Sequence, residues 1–163
     1  MLFRFLKSSL LLLFLCGGIV QGKPVNGFLD ASSWNFEEHT SLDLSGEWLF
    51  SPDTLLNGDA FPNNSQTIDV PSTWNQAIGY ATYTLRIKLP AKTPRLAVYT
   101  QSQASAIGVW MNGVYAGGIG QVGTTENSSK PRLGKLLLDL PPGTQILHLQ
   151  IQRRHHRIKL ILR

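Results

Sequence analysis

Apolar and polar residues alternate along several short segments of this chain. In Thr82–Leu89, the side chains of Tyr83, Leu85 and Ile87 fall on one face of an extended strand, while the polar residues between them fall on the other. This alternation predicts a half-buried β-strand. No segment carries a sustained helical period, so the pattern predicts strands and turns.

The same alternation, interrupted by turn residues at roughly 8- to 12-residue intervals, predicts seven more strands. They are Gly46–Phe50, Thr67–Val70, Arg95–Thr100, Ile107–Met111, Val114–Ala116, Leu133–Leu140 and Gln145–Gln152. Asn112–Gly113 is the strongest hairpin signal in the chain. About eight short strands predict an all-β fold, a jelly-roll β-sandwich.

Functional residues of a sandwich concentrate in the loops at one end of its sheets. The candidate loops are Asn57–Ser65, Pro71–Tyr80 and Gly117–Arg132, all rich in turn-forming and polar residues. We expect ligand binding there through aromatic, hydroxyl and charged side chains. The candidate ligand-binding residues are Trp74, Tyr80, Thr124, Glu126 and Arg132.

Three tryptophans have faces that suit sugar rings. Trp48 and Trp110 lie within predicted strands, where a tryptophan more often belongs to the core. Trp74 lies in a turn, so core packing and ligand stacking both remain open for it.

The first 22 residues have the pattern of a secretory signal peptide. Arg4 and Lys7 form a basic start, an apolar run follows up to Val20, and Gly22 supplies a small residue for cleavage. The apolar run is shorter than the roughly 20 residues that a membrane span needs, although a retained signal anchor is the alternative. We therefore expect an exported protein, periplasmic or extracellular.

Cysteine content and charge argue against disulfide bonds, lipidation and nucleic-acid binding. Cys16 is the only cysteine, so cleavage of the leader would leave a domain without disulfides, and the bulky Leu15 before it disfavours lipidation. The net charge of +5 comes from the two ends, because residues 23–152 carry 8 basic and 10 acidic side chains. A basic strand end fits this distribution better than a nucleic-acid-binding surface.

His155, His156 and Arg157 form the most conspicuous chemical cluster, with a role left open between packing and ligand contact. Adjacent strand residues point to opposite faces, so the two histidines do not face one metal ion, and no metal site is predicted. The glycines from 117 to 123 lack a nucleotide-binding pattern, so no cofactor is expected. No GxSxG motif or motif-set pair of carboxylates is present, so we predict that the protein is not an enzyme.

Six motifs, in order, carry a resemblance to a known family. They are LSGEWLF at 44–50, VPSTWN at 70–75, GYATYTLRIKLP at 79–90, WMNG at 110–113, GQVGTT at 120–125 and HHR at 155–157. Together they resemble the extracellular jelly-roll sensing domain of bacterial seven-transmembrane receptors with diverse intracellular signalling modules. That domain is similar to the galactose-binding-like domain of glycoside hydrolase family 2. The resemblance implies a galactose-binding-domain-like sandwich that binds a carbohydrate-like ligand and takes part in signal transduction.

Receptors of this family continue after HHR into seven membrane helices, whereas residues 158–163 follow here. We interpret the chain as a sensor truncated before its membrane and output domains. The expected organisation is a signal peptide at 1–22, an N-terminal arm at 23–41, the jelly roll at 42–157 and an aberrant basic tail at 158–163.

Several alternatives stay open. The chain is alternatively a stand-alone exported protein, a structural or protein-interaction sandwich, or a sugar-binding fragment of a glycoside hydrolase. The expected partner is a small-molecule or carbohydrate ligand, not nucleic acid. Membrane contact would come only through a missing C-terminal half or a retained signal anchor.

Overall fold

Ten β-strands make up the regular structure of the part of the chain that the computed structural model describes. The described residues are 22–58, 62, 65–72, 79–154 and 160–162, without the side chains of 103, 104, 160 and 161. The strands are β1 (Phe28–Asp30), β2 (Leu42–Asp43), β3 (Gly46–Pro52), β4 (Gln66–Val70), β5 (Ala81–Lys88), β6 (Ala97–Met111), β7 (Val114–Ile119), β8 (Arg132–Asp139), β9 (Ile146–Arg154) and β10 (Leu160–Leu162). The all-β prediction is confirmed. Within these ranges no helix is long and apolar enough to cross a membrane.

The strands pair into two sheets. The first sheet has the order β4-β3-β5-β9-β6-β7, and β1 runs parallel to the end of β5. The second sheet has the order β2-β10-β6-β8. Because β6 belongs to both sheets, it joins the two layers of the sandwich.

β6 replaces two of the predicted strands. The sequence predicts separate strands at Arg95–Thr100 and Ile107–Met111, whereas the structure has one 15-residue strand. Its first part pairs with β8 and its second part with β9 and β7, with a register shift between Ser102 and Ser105. The polar residues in the middle, which indicate a break in the sequence pattern, accompany an irregularity at which the strand changes sheets.

The hydrophobic core lies between the sheets, on one face of each strand. β9 contributes Leu147, Leu149 and Ile151, all fully buried. Trp48 of β3 is also fully buried, and its Nε1 donates to the Leu44 carbonyl oxygen at 2.8 Å, which confirms its predicted place in the core. Burial of this kind is the main source of stability in a sandwich.

Trp110 does not belong to this core, contrary to the prediction. Its neighbours Val109 and Met111 take the buried positions of β6, so Trp110 points to the other face of the first sheet. There it is half-buried, and its ring packs edge-on against Tyr115 with centroids 5.2 Å apart. The two-residue period of the strand therefore decides where this tryptophan lies.

The β6–β7 hairpin turns at Asn112–Gly113, as predicted. Both residues have positive φ, 47° and 80°. This is the left-handed conformation that a tight two-residue hairpin requires and that asparagine and glycine tolerate best. Val114 and Tyr115, which follow the turn, are both exposed.

Both ends of the described chain take part in the sheets. β1 lies within the predicted N-terminal arm, and its Leu29 is buried. Leu160–Leu162, which the sequence analysis assigns to a basic tail, forms β10 between β2 and β6. Leu162 has no exposed surface, so its side chain is part of the core.

Candidate functional site

One end of the sandwich interior is polar. The buried face of β6 changes from Val98 to Thr100, Ser102 and Ser105, and that of β9 changes from Ile151 to Arg153. Tyr83 of β5 is also buried on this side of the core and interacts electrostatically with Arg153. We call Tyr83, Thr100, Ser102, Ser105 and Arg153 the polar core cluster.

The strand register brings the strand ends that adjoin two candidate loops to this end. Ala81, the first residue of β5, pairs with Arg153 near the end of β9. Ser105 pairs with Arg132, the first residue of β8, and Ala106 pairs with Arg154. Tyr80, just before β5, and the end of the loop before β8 therefore lie beside the polar core cluster.

Arg153 is the central residue of the cluster. It is only 2% exposed, although a guanidinium is among the groups most costly to remove from water. Its Nη2 donates to the Ser105 hydroxyl at 3.3 Å, and its buried Nε has no hydrogen-bond partner among the described residues. Burial lowers the pKa of Arg153 to about 10, and attraction to Tyr83 opposes that shift.

Ser102 and Ser105 hold the irregular segment of β6 together. The Ser102 hydroxyl donates to the Ser105 carbonyl oxygen at 2.9 Å and accepts from the Ser105 amide at 3.0 Å. These bonds replace ladder hydrogen bonds where the register shifts. They also fix the backbone from which Ser105 reaches Arg153.

Arg154 connects two loops on the other face of the same strand end. Its Nη1 donates to the Gly123 carbonyl oxygen at 3.4 Å. A Cβ atom built on Gly79 would lie 3.9 Å from the guanidinium carbon, so the segment leading into β5 also approaches Arg154 closely. The half-buried Arg154 thus positions the candidate loop before β8 against the start of β5.

Gln152 anchors the remaining candidate loop. Its Nε2 donates to the Leu56 carbonyl oxygen at 2.9 Å and to the Asn57 side-chain oxygen at 2.6 Å. Consecutive residues at the end of β9 therefore contact the interior and two different loops. β9 positions the parts of the site relative to one another.

The loop between β7 and β8 is ordered by its own backbone and hydroxyl groups. Gln121 and Lys130 pair at its base through two backbone hydrogen bonds of 2.9 Å. At its tip, the Thr125 amide donates to the Ser128 hydroxyl at 3.0 Å. Thr125 and Ser128 bond to each other, and Thr124, Glu126 and Asn127 are exposed polar residues beside them.

The structure describes four of the five predicted ligand-binding residues. Tyr80 is half-buried, and its carbonyl oxygen accepts from the Asp53 amide at 3.0 Å. Arg132, Thr124 and Glu126 are exposed. The register places Tyr80 and Arg132 at the same end of the sandwich, but no direct contact joins their side chains in the described structure.

Other predictions fall outside the described residues. Trp74 and the cluster His155, His156 and Arg157 are not described, and neither is the predicted signal peptide up to residue 21. Among the residues that are described, no group of three or more His, Cys, Asp or Glu side chains is placed to hold a metal ion.

Sequence reasoning missed Gln152, Arg153 and Arg154 as site residues. A signal for Arg153 was present, because it continues the two-residue period of the core positions Leu147, Leu149 and Ile151. That period places its guanidinium inside the sandwich. The partners of all three side chains depend on other strands and loops, so they emerge only from the fold.

A surface cavity of about 510 Å³ lies at the start of β6. It is lined by residues 93–96 and 139–144. Its arginine, Arg95, is exposed and bonded through Nε and Nη2 to the carboxylate of Asp139, at 3.2 and 2.7 Å. Since this charge is already neutralised, the cavity makes a weaker candidate than the polar core cluster.

Comparison with known proteins identifies the fold only. No protein family matches the sequence, and no curated protein is similar to it. Several solved structures are similar. The β-glucuronidase of Faecalibacterium prausnitzii has 20% identity and a TM-score of 0.51, over 69% of this chain and 20% of that one.

Two more β-glucuronidase structures are similar to this chain over a comparable share of its length. The enzyme of an uncultured Clostridium sp. has 13% identity and a TM-score of 0.55, over 75% of this chain and 28% of that one. The Ruminococcus gnavus enzyme in complex with D-glucuronic acid has 15% identity and a TM-score of 0.52, over 71% and 22%. The chain thus spans about a fifth to a quarter of these enzymes and shares the β-sandwich fold of one part of each.

Proposed function

We propose that the chain is an exported carbohydrate-binding jelly roll, the sensing module of a membrane signalling receptor. The observation that carries the binding proposal is the polar core cluster. A fold stabilised by apolar burial has buried polar and charged groups at one end, beside the strand ends that adjoin two candidate loops. Local departures from good packing of this kind concentrate at functional sites.

The similar solved structures support a carbohydrate as the ligand class. They are β-glucuronidases, and one is in complex with D-glucuronic acid. On this proposal, Tyr80 offers an aromatic face, while Thr124 and Glu126 offer hydrogen-bonding groups from the loop before β8. Arg132 and Arg154 lie at the same strand end and complete the polar rim.

Binding is tested by calorimetric titration of the purified full chain with a panel of neutral and acidic monosaccharides. We expect saturable binding, and we expect Thr124→Ala to weaken it by about 3- to 10-fold, the equivalent of one hydrogen bond. Thr40→Ala is the matched control, since Thr40 is an exposed threonine of the N-terminal arm. Absence of binding across the whole panel would refute the proposal.

Export is tested separately. Mass spectrometry of the protein expressed in a bacterium with its leader should show a chain that starts at Lys23 and is recovered from the periplasm or medium. A chain that keeps its first 22 residues in the membrane fraction would instead indicate a signal anchor.

A glycoside hydrolase fragment is the second candidate, because the chain matches only 20–28% of the length of the β-glucuronidases. DNA sequencing downstream of codon 163, read in all three frames, separates the two. Seven apolar spans followed by a signalling domain would support the receptor. A frame that encodes a catalytic barrel would support the hydrolase.

A further inference from the structure

Arg95, just before the start of β6, and Arg153, paired with Ile107 of β6, have different partners on the same edge of the guanidinium. At Arg95, the edge formed by Nε and Nη2 binds both oxygens of the Asp139 carboxylate. At Arg153, Nη2 has only the Ser105 hydroxyl at 3.3 Å, and Nε has no partner among the described residues. This edge of the guanidinium is therefore fully paired at the exposed Arg95, whereas at the buried Arg153 it is only partly paired by the described residues.

Buried guanidinium groups usually have more hydrogen-bond partners than exposed ones. Here the exposed Arg95 has the better-paired edge and the buried Arg153 the poorer one. A guanidinium in water exchanges its partners at little cost, but a buried one loses hydration and requires compensation. None of the described carboxylates forms an ion pair with Arg153. Of the ten acidic residues of the chain, only Asp59 lies outside the described structure.

The surroundings of Arg153 add hydrogen-bonding groups rather than negative charge. The Ser105 hydroxyl lies against the guanidinium, and the phenol of Tyr83 is close enough to interact with it electrostatically. The Thr100 hydroxyl, buried on the same interior side, also has no partner among the described residues. Arg154 and Arg132 bring further positive charge to the same strand end.

We propose that the polar core cluster binds the carboxylate of an acidic sugar, a uronic acid, through the Nε–Nη2 edge of Arg153. This inference rests on the proposed function, because it names the class of carbohydrate that the site takes. A carboxylate matches the planar fork of a guanidinium with two parallel hydrogen bonds. The Arg95–Asp139 pair has this geometry within the same molecule.

The burial of Arg153 has a consequence for the rate of binding. At 2% exposure the guanidinium does not meet solvent and ligand freely, so the carboxylate must displace the atoms that cover it. Association is then slower than a simple diffusional encounter, below about 10⁵ M⁻¹s⁻¹.

The test compares two sugars that differ only at C6, D-glucuronate and D-glucose, by calorimetry on the purified full chain. We expect glucuronate to bind at least about tenfold more tightly, as expected for charge-assisted hydrogen bonds. Arg153→Met should abolish this preference. Arg153→Lys keeps the charge but lacks the planar fork, and should retain only part of it.

Arg95→Met is the matched control, since it removes an arginine just before the start of β6, outside the polar core cluster, and should leave the preference unchanged. The melting temperature without ligand is the second measurement. Arg153→Met should raise it by several degrees, because a buried, unsaturated charge is replaced by an apolar side chain of similar length. A fall of several degrees would make Arg153 a structural residue and overturn the inference.

The outcomes separate this inference from the proposed function. Equal affinity for glucose and glucuronate overturns the carboxylate site and leaves carbohydrate binding intact. A preference that survives in Arg153→Met overturns the assignment to Arg153. Tighter binding of glucose 6-phosphate than of glucuronate overturns the choice of a carboxylate, and failure of every sugar to bind overturns both proposals.

Discussion

The Arg153 guanidinium donates to the Ser105 hydroxyl across 3.3 Å, at the point where β6 changes from one sheet to the other. This contact joins the end of β9 to the irregular segment of β6. Both residues are buried, so the sandwich keeps a cation and a hydroxyl in its interior. The interior of the sandwich is therefore polar at this end and apolar along the rest of β9, where Leu147, Leu149 and Ile151 are buried.

Gln152→Ala should destabilise the fold by about 1–2 kcal/mol, because it removes the bonds to the Leu56 carbonyl oxygen and to Asn57. Chemical denaturation measures the free energy of unfolding. The control is Gln145→Ala, whose exposed side chain should contribute within about 0.5 kcal/mol. Equal effects of the two substitutions would show that Gln152 does not anchor the loop.

Gly120→Ala should destabilise more strongly than Gly143→Ala. Both glycines have positive φ, 71° and 75°, so alanine strains both by about 1 kcal/mol. A Cβ atom at Gly120 would also clash with the Lys130 carbonyl oxygen at the base of the loop before β8, whereas nothing lies within 4 Å of one at Gly143. Denaturation curves of the two variants isolate the cost of that clash.

If carbohydrate binding uses this loop, Gly120→Ala should also weaken binding, and Gly143→Ala should leave the affinity unchanged. Similar stability losses in both variants would show that the loop base adapts to an added methyl group.

Leu162→Ala should destabilise the fold by about 2–4 kcal/mol, the usual cost of truncating a fully buried leucine. Leu137→Ala is the control, because the side chain of Leu137 is 63% exposed on β8. The free energy of unfolding of each variant gives the comparison. A small effect at Leu162 would contradict the placement of β10 in the second sheet.

Tyr83 should ionise later than a free tyrosine on alkaline titration. Burial raises its pKa above the ordinary value of 10.0, and the positive charge of Arg153 partly opposes the shift. The folded state thus favours the neutral phenol of Tyr83. The burial of Tyr83 therefore contributes fully to stability below pH 10, and this contribution declines as the pH rises through the pKa of Tyr83 in the folded protein.

Tyrosinate absorbance during a pH titration measures this effect, and Tyr83→Phe identifies the late step. Arg153→Met should move that step to still higher pH, since it removes the opposing charge. A titration curve that Tyr83→Phe leaves unchanged would contradict the burial of this phenol.

The sequence alone determined the fold class, because local patterns are sufficient for it. The alternation of Tyr83, Leu85 and Ile87 defines the apolar, core-facing side of β5, and Asn112–Gly113 defines the β6–β7 turn. Such signals depend on the two-residue period of a strand and on the conformations that a turn requires. Long-range pairing is not needed to read them.

Tertiary structure decided how these elements combine. The union of two predicted strands into β6, and the place of Leu162 in the second sheet, depend on pairing between segments far apart in sequence. The two-residue period of β9 is sufficient to predict that Arg153 is buried. Which hydrogen-bond partners its guanidinium has depends on the residues that other strands place around it. Because hydrogen-bond partners and desolvation are properties of the packed sandwich, the candidate site became visible only in the fold.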